Sequence, residues 1–491
     1  MGARVIGRLL ARRELKMLHD LGLLGMGQVV TKAITFLAFA FLARRLPAAQ
    51  YGAVEYAMGM ATLAALATDG GLGSVGVRRL SQHEDTTERL AALVPTAQLC
   101  LSLIVAPGMF LFALLFARDA RAVTLVGLVA ISVMLLPWKQ DWLFQSLGRM
   151  GQIVAAQTIR VGVFALGAIL LVRGQGQLNL VGVMEIVSVA CATLYMMVLQ
   201  QRTITPVRTS FDLRDLIGLG REGISIGAAA IVWAMIQYAP LMMLANMAGM
   251  TDTAYFGASH RLAVSLVTFS YIYHFNLYPT IARRMGDDPQ ALAQLTRASF
   301  RGVAWAGIGL ALGMTIAASP LLALLFGERF RAAAPAFSIL IWTFPVTLLS
   351  GHARWLLVAA RRSHDMLTAQ LAGAATVAVL GWVLIANFGA VGAAIVMLAS
   401  CIAIWAAAQV FVRMHVGVAP FTPCLLPTAL AAALIVAAHY LTLNPWAEAV
   451  LAVAVFFALA PLLDRALPAD LARIMKAKPA TPPGPTLAEA R

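Results

Sequence analysis

Apolar runs of 18 residues or more recur along this chain from Leu21 to Pro461. A run of that length crosses the roughly 30 Å hydrocarbon core of a bilayer as a helix. A helix in lipid also satisfies its backbone hydrogen bonds internally. The chain has 491 residues, is 60% hydrophobic and 12% charged, and contains no stretch polar enough for a soluble domain. The sequence therefore predicts an all-α polytopic membrane protein.

The apolar runs divide into about 14 predicted transmembrane helices. Loops on the side of the N-terminus carry most of the arginines. Because cytoplasmic loops are enriched in Lys and Arg, this imbalance places both termini in the cytoplasm. The few arginines of the opposite loops are Arg44, Arg45, Arg118, Arg121, Arg173, Arg329 and Arg331. The predicted spans are residues 20–43, 52–77, 91–117, 122–145, 151–172, 180–200, 219–247, 254–280, 302–326, 332–360, 364–386, 390–412, 421–441 and 446–463.

The chain also repeats part of itself. Tyr51-Gly52-Ala53 opens one apolar run, Phe256-Gly257-Ala258 opens another 205 residues later, and an Arg-Arg pair closes each run at that same offset. Asp141-Trp142-Leu143 is echoed by Arg354-Trp355-Leu356 at an offset eight residues longer. Six spans separate the copies, so both enter the membrane in the same direction. Unless the echoes are chance, the sequence predicts two parallel six-helix bundles around a central cleft, with two extra C-terminal helices.

These patterns give the chain a predicted domain organisation. A basic amphipathic segment precedes the first span, and a Pro/Ala-rich tail, predicted to be disordered, follows the last one. In order, the predicted parts are the amphipathic segment 1–19, the first bundle 20–200, a cytoplasmic linker 201–218, the second bundle 219–412, two extra spans 421–463 and a cytoplasmic tail 465–491.

Charge and motif content exclude several functions. The net charge of +15 is concentrated on one set of loops, so it reflects topology and attraction to anionic lipid rather than nucleic-acid binding. The four Cys and eight His form no metal-ligand spacing, and no Lys follows a Gly as in a Walker A loop. We therefore expect no catalytic residues, no metal, no cofactor and no ATP site in this chain.

Several segments resemble a known family. Residues 43–52 (Ala-Arg-Arg-Leu-Pro-Ala-Ala-Gln-Tyr-Gly), 69–73 (Asp-Gly-Gly-Leu-Gly) and 141–150 (Asp-Trp-Leu-Phe-Gln-Ser-Leu-Gly-Arg-Met) are similar to segments of polysaccharide (O-antigen-type) flippases. Residues 321–330 and 387–394 are also similar to segments of that family, so the matches extend over about residues 20–412. The chain departs from the family pattern at Pro47, which lacks the usual preceding Gly, and at Ser146-Leu147-Gly148.

The resemblance implies a fold and a function. The fold is that of the multidrug/oligosaccharidyl-lipid/polysaccharide exporter superfamily. The implied function is movement of an undecaprenyl-diphosphate-linked oligosaccharide from the inner to the outer leaflet of a bacterial cytoplasmic membrane by alternating access. The expected partners are this lipid-linked oligosaccharide and membrane lipids, with a polymerase and a chain-length regulator as protein partners to test. The implied role is that of a transporter for cell-surface or exported polysaccharide, not an enzyme.

Such a substrate carries an anionic head, so cations inside spans are the first candidates for its site. Ionisable side chains at membrane depth are costly and usually face a cavity. Lys32 lies mid-way along the first span, on one helical face with Gln28, Thr31 and Thr35. The alternative for Lys32 is a structural pair with a carboxylate or with backbone carbonyls.

Three further cations within spans are candidates for the same role. They are Arg261, Arg160 and Lys139. Arg261 could instead reach outward to the membrane surface, and Arg160 could instead pair with Glu185 in the next span.

The repeat also predicts a gate. Glu55 aligns with His260, the neighbour of Arg261, so we expect Glu55 to pair with Arg261 or His260 and to close the outer side of the cleft. Asp141 and Arg354 occupy matching positions in the two copies and are predicted to pair, or to take part in gating or coupling.

Two other functions remain open from the residues alone. A multidrug or cation antiporter of the same superfamily would need acidic residues in its cavity, whereas the cations here outnumber the acids. A membrane glycan polymerase or ligase would need a large outer loop for its reacting groups, and the predicted outer loops are short.

Overall fold

The computed structural model describes residues 27, 29–174, 176–417, 420–441 and 443–476. Within these ranges the ordered elements are helices and no strand occurs. The predicted amphipathic segment 1–19 and the tail beyond residue 476 lie outside the described residues, as does Gln28.

The first half of the chain forms nine helices. Helix α1 covers residues 29–45. The others are α2 (Ala48–Asp69), α3 (Leu72–Ser81), α4 (Thr87–Phe116), α5 (Ala120–Val133), α6 (Asp141–Ser146), α7 (Met150–Leu171), α8 (Leu178–Thr203) and α9 (Leu213–Met247). A short 3₁₀ segment, Leu136–Lys139, separates α5 from α6.

The second half contains nine more helices among the described residues. They are α10 (Met250–Asp287), α11 (Pro289–Ile316), α12 (Ala318–Phe326), α13 (Ala334–Leu340), α14 (Thr343–Ala359), α15 (Ser363–His415), α16 (Leu425–His439), α17 (Pro445–Leu463) and α18 (Leu467–Lys476). Two 3₁₀ segments, Glu328–Ala333 and Thr422–Cys424, precede α13 and α16.

All fourteen predicted spans coincide with helical segments where the structure describes them. By length and composition, ten helices of the described chain can cross a membrane. The all-α polytopic class is therefore confirmed. The number of fourteen crossings is consistent with these helices and stays a prediction.

Two predicted spans of the first unit are not single helices. Span 52–77 breaks between α2 and α3, where Gly70 and Gly71 have φ of 54° and 78°. Span 122–145 breaks between α5 and α6, where Gln140 has a left-handed φ of 46°. Each break places the end of one helix and the start of the next inside the span.

Cα proximity divides the chain into two compact units. The first comprises the described residues up to Arg261 together with Leu325–Phe330 and Val377–Ala393. Part of its core joins Leu72 and Val75 of α3 to Trp142 and Leu143 of α6. This packing brings two of the family-like segments, 69–73 and 141–150, side by side.

The second unit comprises Leu262–Leu324, Arg331–Thr376 and the described residues after Ala393. Its largest apolar cluster is built on α11 and α17, where Phe300, Trp305 and Phe456 are buried. These units are defined by proximity and not by the repeat, so the predicted bundle boundary at residues 201–218 stays a prediction.

The duplicated glycines lie where α2 and α10 pack closely within the first unit. A Cβ at Gly52 would lie 1.8 Å from the carbonyl oxygen of Met250. A Cβ at Gly257 would lie 2.6 Å from Cγ of Glu55. Only a residue without a side chain permits this approach, and the approach brings Glu55 against the start of α10.

Candidate functional site

A buried ion pair joins α2 to α10 beside these glycines. Arg261 donates from Nε to Oε1 of Glu55 at 2.9 Å and from Nη2 to Oε2 at 2.8 Å. Glu55 is only 5% exposed. Two parallel charge-assisted hydrogen bonds fix both side chains as well as neutralising them. The pair that the repeat predicted is therefore present, and it involves Arg261.

Aromatic side chains enclose the pair. The hydroxyl of Tyr51, one turn before Glu55, donates to Oε1 of Glu55 at 2.5 Å. The guanidinium of Arg261 lies 3.4 Å from the ring centroid of Phe39 in α1, which is a close cation–π contact. Phe330 packs edge-on against Tyr51. Because these groups shield the ions from water, breaking the pair leaves an uncompensated charge.

His260 takes no part in the ion pair. Its ring stacks on Phe256 with centroids 5.6 Å apart and meets the edge of Tyr238 in α9 at 5.9 Å. Its Nε2 atom is buried without a hydrogen-bond partner among the described residues. Its position beside Arg261 therefore follows from aromatic packing.

Arginines tie the end of α1 to the segment after α12. Arg329 donates to the carbonyl oxygens of Leu46 at 2.8 Å and Arg44 at 3.1 Å. Arg44 donates in turn from Nε to the carbonyl oxygen of Leu325 at 3.1 Å. Helix ends leave carbonyls without partners, and a guanidinium satisfies several of them at once.

Two other predicted cations also have carboxylate partners. Arg160 of α7 bonds to Glu185 of α8 at 2.5 Å, and Glu185 is buried. Lys139 bonds to Oδ2 of Asp141 at 2.7 Å. The structure thus gives Asp141 a different partner from the predicted Arg354.

Lys32 and Arg354 occupy different surroundings. Lys32 is exposed on α1, and the neighbouring Thr31 and Thr35 donate their hydroxyls to carbonyls one turn back in the same helix. The guanidinium of Arg354 in α14 lies 5.8 Å from the ring centroid of Tyr271. Lys32 therefore lies on the exposed face of α1, within a predicted span.

The comparison that decides the family concerns the first half of the chain. A family described as "Polysaccharide biosynthesis protein" matches residues 17–285. The chain belongs to the polysaccharide biosynthesis protein family. The resemblance stated from the sequence motifs is therefore confirmed.

Solved structures show that this polysaccharide biosynthesis family member has a transporter fold. It superposes on "Lipid II flippase MurJ, inward closed conformation" with a TM-score of 0.73 and 10% identity, covering 91% of this chain and 99% of that one. An inward-facing multidrug resistance MATE family transporter of the MOP superfamily gives 0.61 at 12% identity, over 78% of this chain and 95% of that one. An outward-facing MATE family transporter gives a TM-score of 0.52 at 14% identity, over 81% of this chain and 95% of that one. A search of curated proteins finds no match. The protein therefore shares the fold of these multi-pass membrane transporters.

Sequence reasoning missed an ionic network in this family member. Glu222 of α9 pairs with both Arg78 and Arg79 of α3. Asp85 then bridges Arg79 and Arg89 at 3.2 Å and 2.9 Å. From the sequence these loop charges indicate only topology, because Arg79 and Glu222 are 143 positions apart and nothing in the sequence signals that they lie close together.

Sequence reasoning also missed a buried chain of hydrogen bonds in the second unit. Nδ1 of His274 donates to the carbonyl of Ser270 at 2.8 Å, and with neutral rings its Nε2 accepts from Nδ1 of His352 at 3.3 Å. Nε2 of His352 then accepts from Ser299 at 2.8 Å, and the hydroxyl of Tyr273 donates to Ser299 at 2.5 Å. This chain of hydrogen bonds links α10, α11 and α14. No motif signals this chain, since its members are scattered over three helices.

Proposed function

We propose that this protein flips a lipid-diphosphate-linked oligosaccharide from the inner to the outer leaflet of a bacterial cytoplasmic membrane. The observation that carries the proposal is the family match to polysaccharide biosynthesis proteins over residues 17–285. The fold shared with the lipid II flippase MurJ supports it, because that protein flips a lipid. The product would serve cell-surface or exported polysaccharide, with a polymerase and a chain-length regulator as downstream partners.

The cations of the spans supply the chemistry that a diphosphate head needs. Lys32 is exposed on α1 within a predicted span, and it makes the first contact in this proposal. Arg261, Arg160 and Lys139 each carry a carboxylate partner, and a diphosphate competes with those carboxylates. An arginine fork binds carboxylate and phosphate oxygens with the same geometry, so a phosphate can take the place of the carboxylate on Arg261 or Arg160.

The pair of Glu55 with Arg261 is proposed as a gate. Its buried bidentate geometry stabilises one conformation of the α2–α10 contact. When a substrate phosphate takes Arg261, Glu55 loses its counter-charge and that contact loosens. Alternating access then follows from competition for one guanidinium. His260, Asp141 and Arg354 remain proposed members of the gating or coupling machinery.

Transport by the full-length protein in proteoliposomes tests the function. A polyprenyl diphosphate bearing a short oligosaccharide is placed in the membrane, and its accessibility to an impermeant glycosidase reports flipping. We expect rapid equilibration of the two leaflets, at least tenfold slower in Lys32→Ala at equal protein level. Arg118→Ala, which changes an exposed arginine of a predicted outer loop, is the control.

The same vesicles distinguish a flippase from a multidrug or cation antiporter. Export of a cationic dye against a proton or sodium gradient, without movement of the lipid-linked glycan, would identify an antiporter and overturn the flippase. Equal flipping by Lys32→Ala and the wild-type chain would remove Lys32 from the proposed site.

A further inference from the structure

A cavity of about 160 Å³ lies where the two broken spans of the first unit meet. Its polar lining comes from Thr68, Asp69, Gln98, Lys139, Gln140 and Asp141. These residues belong to the end of α2, to α4 and to the segment between α5 and α6. Lys139 and Asp141 already have proposed roles in substrate binding and in gating or coupling, whereas the family-like segment 69–73 has no role in the flippase mechanism proposed above.

The helix breaks direct backbone dipoles toward this cavity. Helix α2 ends at Asp69, and the 3₁₀ segment that follows α5 ends at Lys139. The C-terminal end of a helix carries a partial negative charge, which favours a cation. Helices that break inside a membrane commonly form the sites of coupling ions in transporters.

Several buried oxygen atoms in the cavity wall lack a hydrogen-bond partner. Thr68 and Gln140 are each 2% exposed, and neither Oγ1 of Thr68 nor Oε1 of Gln140 has a hydrogen bond in the described structure. Oδ1 of Asp141 is also buried and unpartnered there. The indole Nε1 of Trp142, which also lines the cavity, is a buried donor without a partner in the described structure. Buried polar atoms are normally satisfied, so this cluster indicates a bound water or ion, and the excess of oxygens over donors favours a cation.

The charges around the cavity leave one negative charge in excess. Asp69 accepts hydrogen bonds from Gln98 at 2.9 Å and from the backbone N–H groups of Gly71 and Gly73, all of them neutral donors. Asp141 is neutralised by Lys139. The adjacent Arg160 acts on Asp141 through space but is itself matched by Glu185. One monovalent cation balances this set, whereas a divalent ion would overcompensate.

We propose that this cavity binds a single monovalent metal cation of the sodium class. Carboxylate and hydroxyl oxygens are the ligands that hard cations prefer. Thr68, Asp69, Gln140 and Asp141 supply such oxygens from two broken helices, so binding ties the end of α2 to the start of α6. Lys139 sets the affinity, because its ammonium group takes one oxygen of Asp141 and repels the ion.

Equilibrium binding of radioactive Na⁺ to the full-length protein in lipid nanodiscs tests the proposal. Choline chloride holds the ionic strength constant, and no substrate is added, so the outcome is independent of flipping. We expect one saturable ion per chain. Asp69→Asn and Asp141→Asn should each weaken binding at least tenfold, and Thr68→Val should weaken it severalfold by removing one oxygen at constant shape.

Removing the positive charge of Lys139 distinguishes a cation site from an anion site. Lys139→Gln should tighten Na⁺ binding severalfold, whereas an anion site would lose affinity. Asp365→Asn, which changes a carboxylate of α15 paired with Arg362, is the control and should leave binding unchanged. Absence of saturable Na⁺, K⁺ or Li⁺ binding overturns the proposal, and so does weaker Na⁺ binding in Lys139→Gln. Proton uptake at Asp69 that persists in saturating Na⁺ overturns it as well, because a proton would then balance the charge.

Discussion

At the scale of single residues, the main feature is that charged side chains shielded from water are paired with an opposite charge. The internal repeat located Glu55 opposite the neighbourhood of Arg261, and the structure joins the two side chains directly. The repeat could do this because aligned positions in its two copies are expected to occupy equivalent places in the fold. The composition of a single segment carries no such information. No repeat or motif in the sequence points to the partners of Glu222 and His274, so these contacts are found only in the packed helices of the structure.

Exchanging the two charges tests the Glu55–Arg261 pair. Glu55→Arg and Arg261→Glu should each abolish flipping in the vesicle assay, because each leaves two like charges in a shielded site. Removing one partner of a buried pair costs about 3–5 kcal/mol. The double exchange should recover part of the activity, since Tyr51 and Phe39 are placed for the original orientation.

A surface pair supplies the control for that exchange. Arg362→Glu disrupts an ion pair with Asp365 in which the arginine side chain is 43% exposed. Exposed pairs contribute about 0–1 kcal/mol, so flipping should persist in this variant. If the double exchange is as inactive as the single variants while remaining folded, the pair is not a gate.

At the scale of helices, hydropathy predicts which residues are helical but not where a helix breaks within a span. Long apolar runs identify a helix because lipid leaves the backbone no alternative. The breaks inside two spans were not predicted, although they shape the cavity between them. The Gly70-Gly71 pair was visible as a turn signal, whereas Gln140 adopts its left-handed conformation without any compositional cue.

The close crossing of α2 and α10 gives a stability prediction. Gly52→Ala should lower the thermal unfolding midpoint markedly, because the new methyl group meets the backbone of Met250 and the helices must separate. Gly162→Ala is the matched control, since a Cβ there meets nothing within 4 Å. That control should be neutral or slightly stabilising, because glycine inside a helix costs about 0.5–1 kcal/mol relative to alanine. Equal midpoints for the two variants would contradict the crossing.

At the scale of the whole molecule, the sequence predicted class and family, because both depend on features repeated along the chain. Hydropathy is averaged over hundreds of residues, and the family motifs are spread over most of the spans. The orientation in the membrane is a prediction that rests on the Lys and Arg content of the loops alone.

Cysteine labelling tests that orientation. In a background without the four native cysteines, Arg118→Cys and Gly174→Cys should react with an impermeant thiol reagent added to intact cells. Glu84→Cys and Arg208→Cys should react only after the membrane is opened, because their loops are predicted to be cytoplasmic. Labelling in the reverse pattern would invert the topology and place the basic loops outside.

The long helix α15 has a consequence for how the chain can be modified. A straight helix of its 53 residues would measure about 80 Å, far more than a bilayer is thick. At Gly389 the backbone leaves helical geometry, with φ 52° and ψ −130°. A Cβ at Gly392 would lie 2.0 Å from the carbonyl oxygen of Leu384, so the chain folds back on itself. Asp252 then caps the returning helix at the N–H of Ala390. This hairpin has no loose segment at its tip, so it offers a protease no cleavage site and an epitope tag no tolerant insertion point.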